Sequence, residues 1–66
     1  MKICDFVEWE LDKFRRECNF TEMELKYFNL RSKDKSNVQI AQELNVSEST
    51  VSVLARKVKK KIIKVL

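Results

Sequence analysis

Residues 37–57, NVQIAQELNVSESTVSVLARK, decide the fold. Their apolar positions Ile40, Ala41, Leu44, Val46, Val51 and Leu54 recur at helical spacing in two groups, with Asn45, Val46 and Ser47 between them. Two short amphipathic helices joined by so tight a turn are the pattern of a helix-turn-helix. Ala41 supplies the small side chain that steeply crossing helices need at their contact. Asn45 fills the turn position where φ must be positive, a conformation Asn tolerates better than any residue but Gly. The chain contains no Gly.

Capping chemistry marks the same boundaries. Ser36 and Gln39 form an S-x-x-Q capping box that starts the first helix of the motif. Ser47 caps the second, with Glu48 near the positive end of the dipole and Val46 and Val51 spaced as a hydrophobic staple. Upstream, Thr21 and Glu24 make another box, flanked by Phe20 and Leu25, and predict a helix over about 22–30. Residues 31–35, RSKDK, read as a polar loop. After Ser47 no stop signal appears, so the last helix is expected over about 48–65. Val51, Leu54, Ala55, Val58, Ile62 and Val65 form its core-facing band, about 100° wide.

At the N-terminus Ile3, Val7, Leu11, Phe14 and Cys18 recur at steps of four, four, three and four. That spacing predicts an amphipathic helix of about four to five turns within residues 1–19. Phe6 and Trp9 lie off its stripe, Trp9 on the opposite side among Asp5, Asp12 and Arg16. Either a neighbouring helix covers them or they contact a second copy or another protein. Cys4 and Cys18 fall on this one predicted helix, about 21 Å apart along its axis and beyond disulfide reach. They read as buried thiols. There is no His and no C-x-x-C pair, so no metal site and no cofactor are expected.

Sixty-six residues suffice for one small domain. Absence of Gly and Pro disfavours hairpins. The expected fold is all-α, one domain over 1–66 in which an N-terminal helix (1–19) is added to a tri-helical helix-turn-helix core (20–66). No apolar run approaches the roughly 20 residues of a membrane span, and the acidic N-terminus MKICDFVEWE is unlike a signal peptide. A cytoplasmic protein without a membrane partner is expected.

Charge is divided unequally. Residues 1–24 carry seven acids and four bases, a net of −3, whereas residues 25–66 carry ten bases and three acids, a net of +7. A polyanion would meet the second half. On the outer side of the last helix a projection gathers Ser49, Ser52, Val53, Arg56, Lys57, Lys60 and Lys64. Small side chains at the tip suit entry into a major groove, where Ser49 and Ser52 can bond base edges or phosphates and Val53 can meet a thymine methyl. Arg56 is the expected base reader, with guanine as its bidentate partner. Lys57 and Lys60, with Lys61 and Lys64 behind them, suit phosphates; the alternative for these lysines is a solvated face. Glu48 either accepts from cytosine or stabilises the helix start. Ser36, Asn37 and Gln39, at the start of the preceding helix, are placed for the DNA backbone, with Lys33 and Lys35 as weaker candidates.

The segments FTEMELKYF and SNVQIAQELNVSESTV, followed by an Ile/Val-rich helix ending KKKI, resemble the helix-turn-helix of LuxR-type response regulators and of region 4 of bacterial sigma factors. The resemblance covers about two thirds of the chain. It implies a tri-helical DNA-binding core in which Ser47, Ser49, Thr50, Ser52, Val53, Arg56 and Lys57 approach DNA, with Thr50 structural or phosphate-contacting. Asp34 and Asn45 stand where the LuxR type usually has Gly, and no fourth helix follows. The chain is similar to a small stand-alone sigma-region-4-like protein, of the kind carried by bacteria and their phages.

The leading expectation is a sequence-specific transcriptional regulator binding double-stranded DNA. The alternative, from the sigma-factor resemblance, is a module that binds RNA polymerase or a sigma factor through Phe6 and Trp9. A homodimer through the same residues would read palindromic half-sites about 34 to 36 Å apart. An enzyme is disfavoured, since nothing assembles a nucleophile, a metal site or a phosphate cradle. Single-stranded RNA is disfavoured because every aromatic residue precedes Arg31.

Overall fold

The computed structural model describes residues 3–66, with Cys4 in its backbone only. A 3-10 turn, Ile3–Asp5, precedes four helices: α1 (Glu8–Glu17), α2 (Glu22–Ser32), α3 (Asn37–Leu44) and α4 (Glu48–Val65). No strand occurs among the described residues, and the fold is the all-α architecture expected.

The expected continuous N-terminal helix is broken. The chain bends at Phe6, and Val7 becomes the extended N-cap of α1. Val7 has no side-chain oxygen to cap the helix; its backbone amide instead donates to the Glu10 carboxylate at 3.0 Å. The bend has a packing cause. It lets the 3-10 turn fold onto α2, burying Ile3, and turns the Phe6 ring edge-on to Phe14 at 5.0 Å. Phe6 is therefore half-buried and parted from Trp9, which is 69% exposed. Val7, expected on the core stripe, is exposed as well. Cys4 lies in the 3-10 turn and Cys18 caps α1 from the other end, so the two do not share a helix as the spacing suggested. Cys18 is buried; the Cys4 side chain lies outside the described residues.

From Phe14 an aromatic series runs into α2: Phe14 meets Phe28 edge-on at 6.4 Å, and Phe20 lies against Phe28 at 5.1 Å. Such pairs add about 0.5 to 1.5 kcal/mol each beyond their buried area. Arg15 of α1 extends its guanidinium over the Phe28 ring and donates through Nε to Asn29 at 2.9 Å. The core is completed by Tyr27, Ile40, Ala41, Val51, Leu54, Val58 and Ile62, so α4 contributes the largest share of it.

Both expected capping boxes form. Thr21 Oγ1 accepts from the Glu24 amide and Glu24 Oε1 from the Thr21 amide, at 3.3 and 2.9 Å. Ser36 and Gln39 exchange the equivalent pair at 3.2 and 2.9 Å. Helix α2 runs on through Arg31 and Ser32, which were expected in the loop; Ser32 Oγ donates back to the Asn29 carbonyl at 2.7 Å. The loop is shorter than RSKDK for that reason.

Every junction between helices holds a left-handed Asn or Asp: Asn19 (φ 51°), Asp34 (φ 62°) and Asn45 (φ 57°). At the last two the helix closes with paired reverse bonds. Lys35 N donates to Leu30 O and Asp34 N to Arg31 O, while Val46 N donates to Ala41 O and Asn45 N to Gln42 O. These satisfy carbonyls a helix end would otherwise leave bare, a task usually given to Gly.

Candidate nucleic-acid interface

Helix α4 reaches the surface along one side only. Val51, Leu54, Val58 and Ile62 are buried, with Ala55 and Val65 packed at the edges of that band. Successive residues of a helix step by about 100°, so the side opposite this band carries Ser49, Ser52, Val53, Arg56, Lys57, Lys60 and Ile63. All seven are exposed. Val53, Arg56, Lys57 and Lys60 line an open depression of about 360 Å³. The three cations have no carboxylate for an ion pair among the described residues.

The tip of α4 is fixed by its cap. Ser47 Oγ accepts from the Thr50 amide at 3.2 Å and lies 3.1 Å from Thr50 Oγ1. Thr50 is thus engaged with the helix start, while Ser49 and Ser52 have no such bond. Glu48 is exposed in the first turn, where a carboxylate favours the dipole. Ser36 and Asn37 are exposed at the start of α3, with the Ser36 hydroxyl held in its box.

The basic residues expected at phosphates sort into two groups. Lys61 is taken up inside the fold: its ammonium pairs with Glu24 Oε1 and donates to the Asn19 carbonyl at 3.1 Å. Lys35 pairs with Glu43 at 3.5 Å. Lys33, Lys57, Lys60 and Lys64 remain exposed, Lys64 beside Glu17 and Asn19 at the α1 end. Sequence reading missed Arg31 and Lys59. Arg31 lies in the last turn of α2 and donates through Nη1 to the Lys35 carbonyl at 2.7 Å. Lys59 falls on the edge of α4 facing the start of α3, between the core band and the outer face, where a projection assigns it to neither.

No helix among the described residues is long and apolar enough to cross a membrane, and no three His, Cys, Asp or Glu side chains there come together in a metal-holding group.

A helix-turn-helix with an exposed cationic outer face on its second helix defines a class, the helical DNA-binding domains. The family model of bacterial regulatory proteins, luxR family, matches residues 18–63, from the end of α1 to the last turn of α4. The chain belongs to that family, one of DNA-binding regulators. Comparison with curated proteins and with solved structures matches nothing.

Proposed function

We propose that the protein is a sequence-specific regulator of transcription that inserts α4, from Glu48 onward, into the major groove of double-stranded DNA. The outer face of α4 carries the reading: small residues at the tip, one Arg in the middle, lysines further along and no ion-pair partner among the described residues for any of the three central cations. Ser49, Ser52 and Val53 meet base edges, Arg56 reads guanine, and Lys57 and Lys60 hold phosphates. Ser47 and Thr50 set the tip, Glu48 stabilises it, and Ser36 and Asn37 approach the backbone from α3.

Anisotropy of labelled duplex DNA during a salt titration tests this. Binding should weaken steeply as salt rises, and the Arg56→Ala, Lys60→Ala double variant should lose retention while its helical signal and melting stay those of the parent. A folded double variant that binds like the parent would sink the proposal.

A second reading is favoured by one observation. Trp9, in the first turn of α1, is 69% exposed. A large aromatic left open in this way suits a protein partner, whether RNA polymerase, a sigma factor or a second copy. With Phe6 turned toward Phe14, such a surface is centred on Trp9. Sedimentation of the parent and of Trp9→Ala tests the homodimer, and retention on immobilised polymerase tests the other two.

A further inference from the structure

The last turn of α2, the first turn of α3 and the middle of α4 meet at a depression of about 100 Å³, lined by Ile3, Tyr27, Arg31, Asn37, Ala55 and Lys59. That is well under the roughly 300 Å³ of a small-molecule site. Tyr27 is 3% exposed, yet its hydroxyl bonds to no described residue. A Tyr so deeply buried normally finds a partner for its O–H. This oxygen is not sealed in either, since among the described residues no buried side-chain oxygen lacks a partner and Tyr27 lines the depression.

The rest of the lining is chemically one-sided. Arg31 and Lys59 bring two cations, Asn37 an amide, and no carboxylate lines the space. Arg31 gives one N–H to the Lys35 carbonyl and has four left. Asn37 opens α3, where the first amides have no intrahelical acceptor. Burial raises the Tyr27 pKa, only partly offset by the Arg31 charge, so the phenol keeps its proton and can donate at neutral pH. Donors from three helices with no acid among them select an anion rich in oxygen acceptors.

We propose that this depression seats one phosphate group of the DNA backbone, with Tyr27 and Arg31 as direct donors and Lys59 as the charge that draws the phosphate in. The proposal rests on the reading of α4 as the helix that enters the groove. Lys59 lies about 100° around α4 from Lys60. With the outer face in the groove, the Lys59 edge faces the rim on the α3 side, where one of the two backbones runs. A contact there carries no base information and sets the depth and register of α4.

The test uses the full chain and labelled random-sequence duplex, with Tyr27→Phe, Lys59→Gln and the Arg56→Ala, Lys60→Ala variant side by side. Tyr27→Phe removes one oxygen and breaks no hydrogen bond to a described residue, so its melting temperature should equal or exceed the parent's. Its DNA affinity should fall about tenfold with the salt slope unchanged. Lys59→Gln should lower the slope by about one. If both bind like the parent while the Arg56, Lys60 variant does not, the phosphate seat is overturned and the reading of α4 stands. If the parent itself fails to bind, both fall. In a parallel arm, sodium phosphate is exchanged for chloride at matched ionic strength and followed by amide shifts of Asn37 and Lys59. Saturation by inorganic phosphate that Tyr27→Phe abolishes, without any change in DNA affinity, would assign the seat to the free ion and overturn the proposal.

Discussion

Glu24 Oε1 accepts from two groups that sequence holds far apart, the backbone amide of Thr21 and the ammonium of Lys61. One carboxylate oxygen thereby closes the capping box of α2 and ties that helix to α4, 37 positions along the chain. Glu24 is 3% exposed, and Lys61 also bonds the Asn19 carbonyl, so the pair joins the α1–α2 turn, the start of α2 and the distal part of α4.

Breaking this pair from the lysine side strands a buried carboxylate. Lys61→Met should cost about 3 kcal/mol, the low end for such pairs because Lys61 itself reaches solvent. For a domain of this size the melting temperature should drop by at least about 10 °C. Adding Glu24→Gln, which keeps the capping box and removes the charge, should recover most of the loss. Thermal melting followed by circular dichroism checks this; a double variant as weak as the single one would assign the loss to packing.

The same contact makes stability depend on pH. Burial by itself raises the Glu24 pKa, but the Lys61 and Thr21 hydrogen bonds and the Lys61 charge together outweigh it and hold the carboxyl below its ordinary value of 4.5. A depressed folded pKa contributes stability that is present above the unfolded value and lost as pH falls through the folded one. Urea unfolding at pH 7 and pH 3 should show the parent losing more stability on acidification than Glu24→Gln. Equal losses would place the acid sensitivity elsewhere.

Neighbouring lysines should differ in their response to salt. Lys60 is exposed on the outer face, whereas the Lys61 ammonium is already neutralised by Glu24. Lys60→Gln should lower the slope of log affinity against log salt by about 0.9, and Lys61→Gln, measured well below its melting point, should leave it unchanged. A slope reduced by Lys61→Gln would mean that the lysine leaves Glu24 for DNA.

At the turn of the motif, Asn45 holds φ 57° and ψ 46°. Asn45→Ala should cost about 1 kcal/mol, because Ala keeps the Cβ that crowds the following carbonyl in that conformation and lacks the short polar side chain with which Asn offsets it. Asn45→Gly should be close to neutral, since easier access to positive φ is set against a more flexible unfolded chain. Denaturant midpoints of the two variants decide; equal losses in Ala and Gly would assign the role to the amide side chain.

The legible parts of this fold were those written in local chemistry. Ser36 with Gln39, Thr21 with Glu24, the Ser47 cap and the left-handed Asn45 each announced a boundary within four residues of itself, and all four stand in the structure. Periodicity alone misled at the N-terminus. Ile3, Val7, Leu11, Phe14 and Cys18 fit one helix, and Val7 has no polar side chain to betray the break; the bend follows from burying Ile3 and Phe6 against distant residues. Glu24 could be read as a capping residue but not as the partner of Lys61, because no local pattern links them. No local pattern singles out Tyr27, and only the assembly of three helices sets it in one depression with Arg31 and Lys59.

The three left-handed corners and the bare outer face of α4 divide the chain into parts with very different freedom to change. Asn19, Asp34 and Asn45 occupy conformations that admit Gly, Asn and Asp and penalise most alternatives. Ser49, Ser52, Val53 and Arg56 touch solvent, and substitutions at such exposed positions usually shift stability by no more than about 0.5 kcal/mol. The residues proposed to choose a target are therefore those the fold can exchange most cheaply. On the reading proposed above, a change of target is a matter of single substitutions on that face, with the corners and the core left as they are.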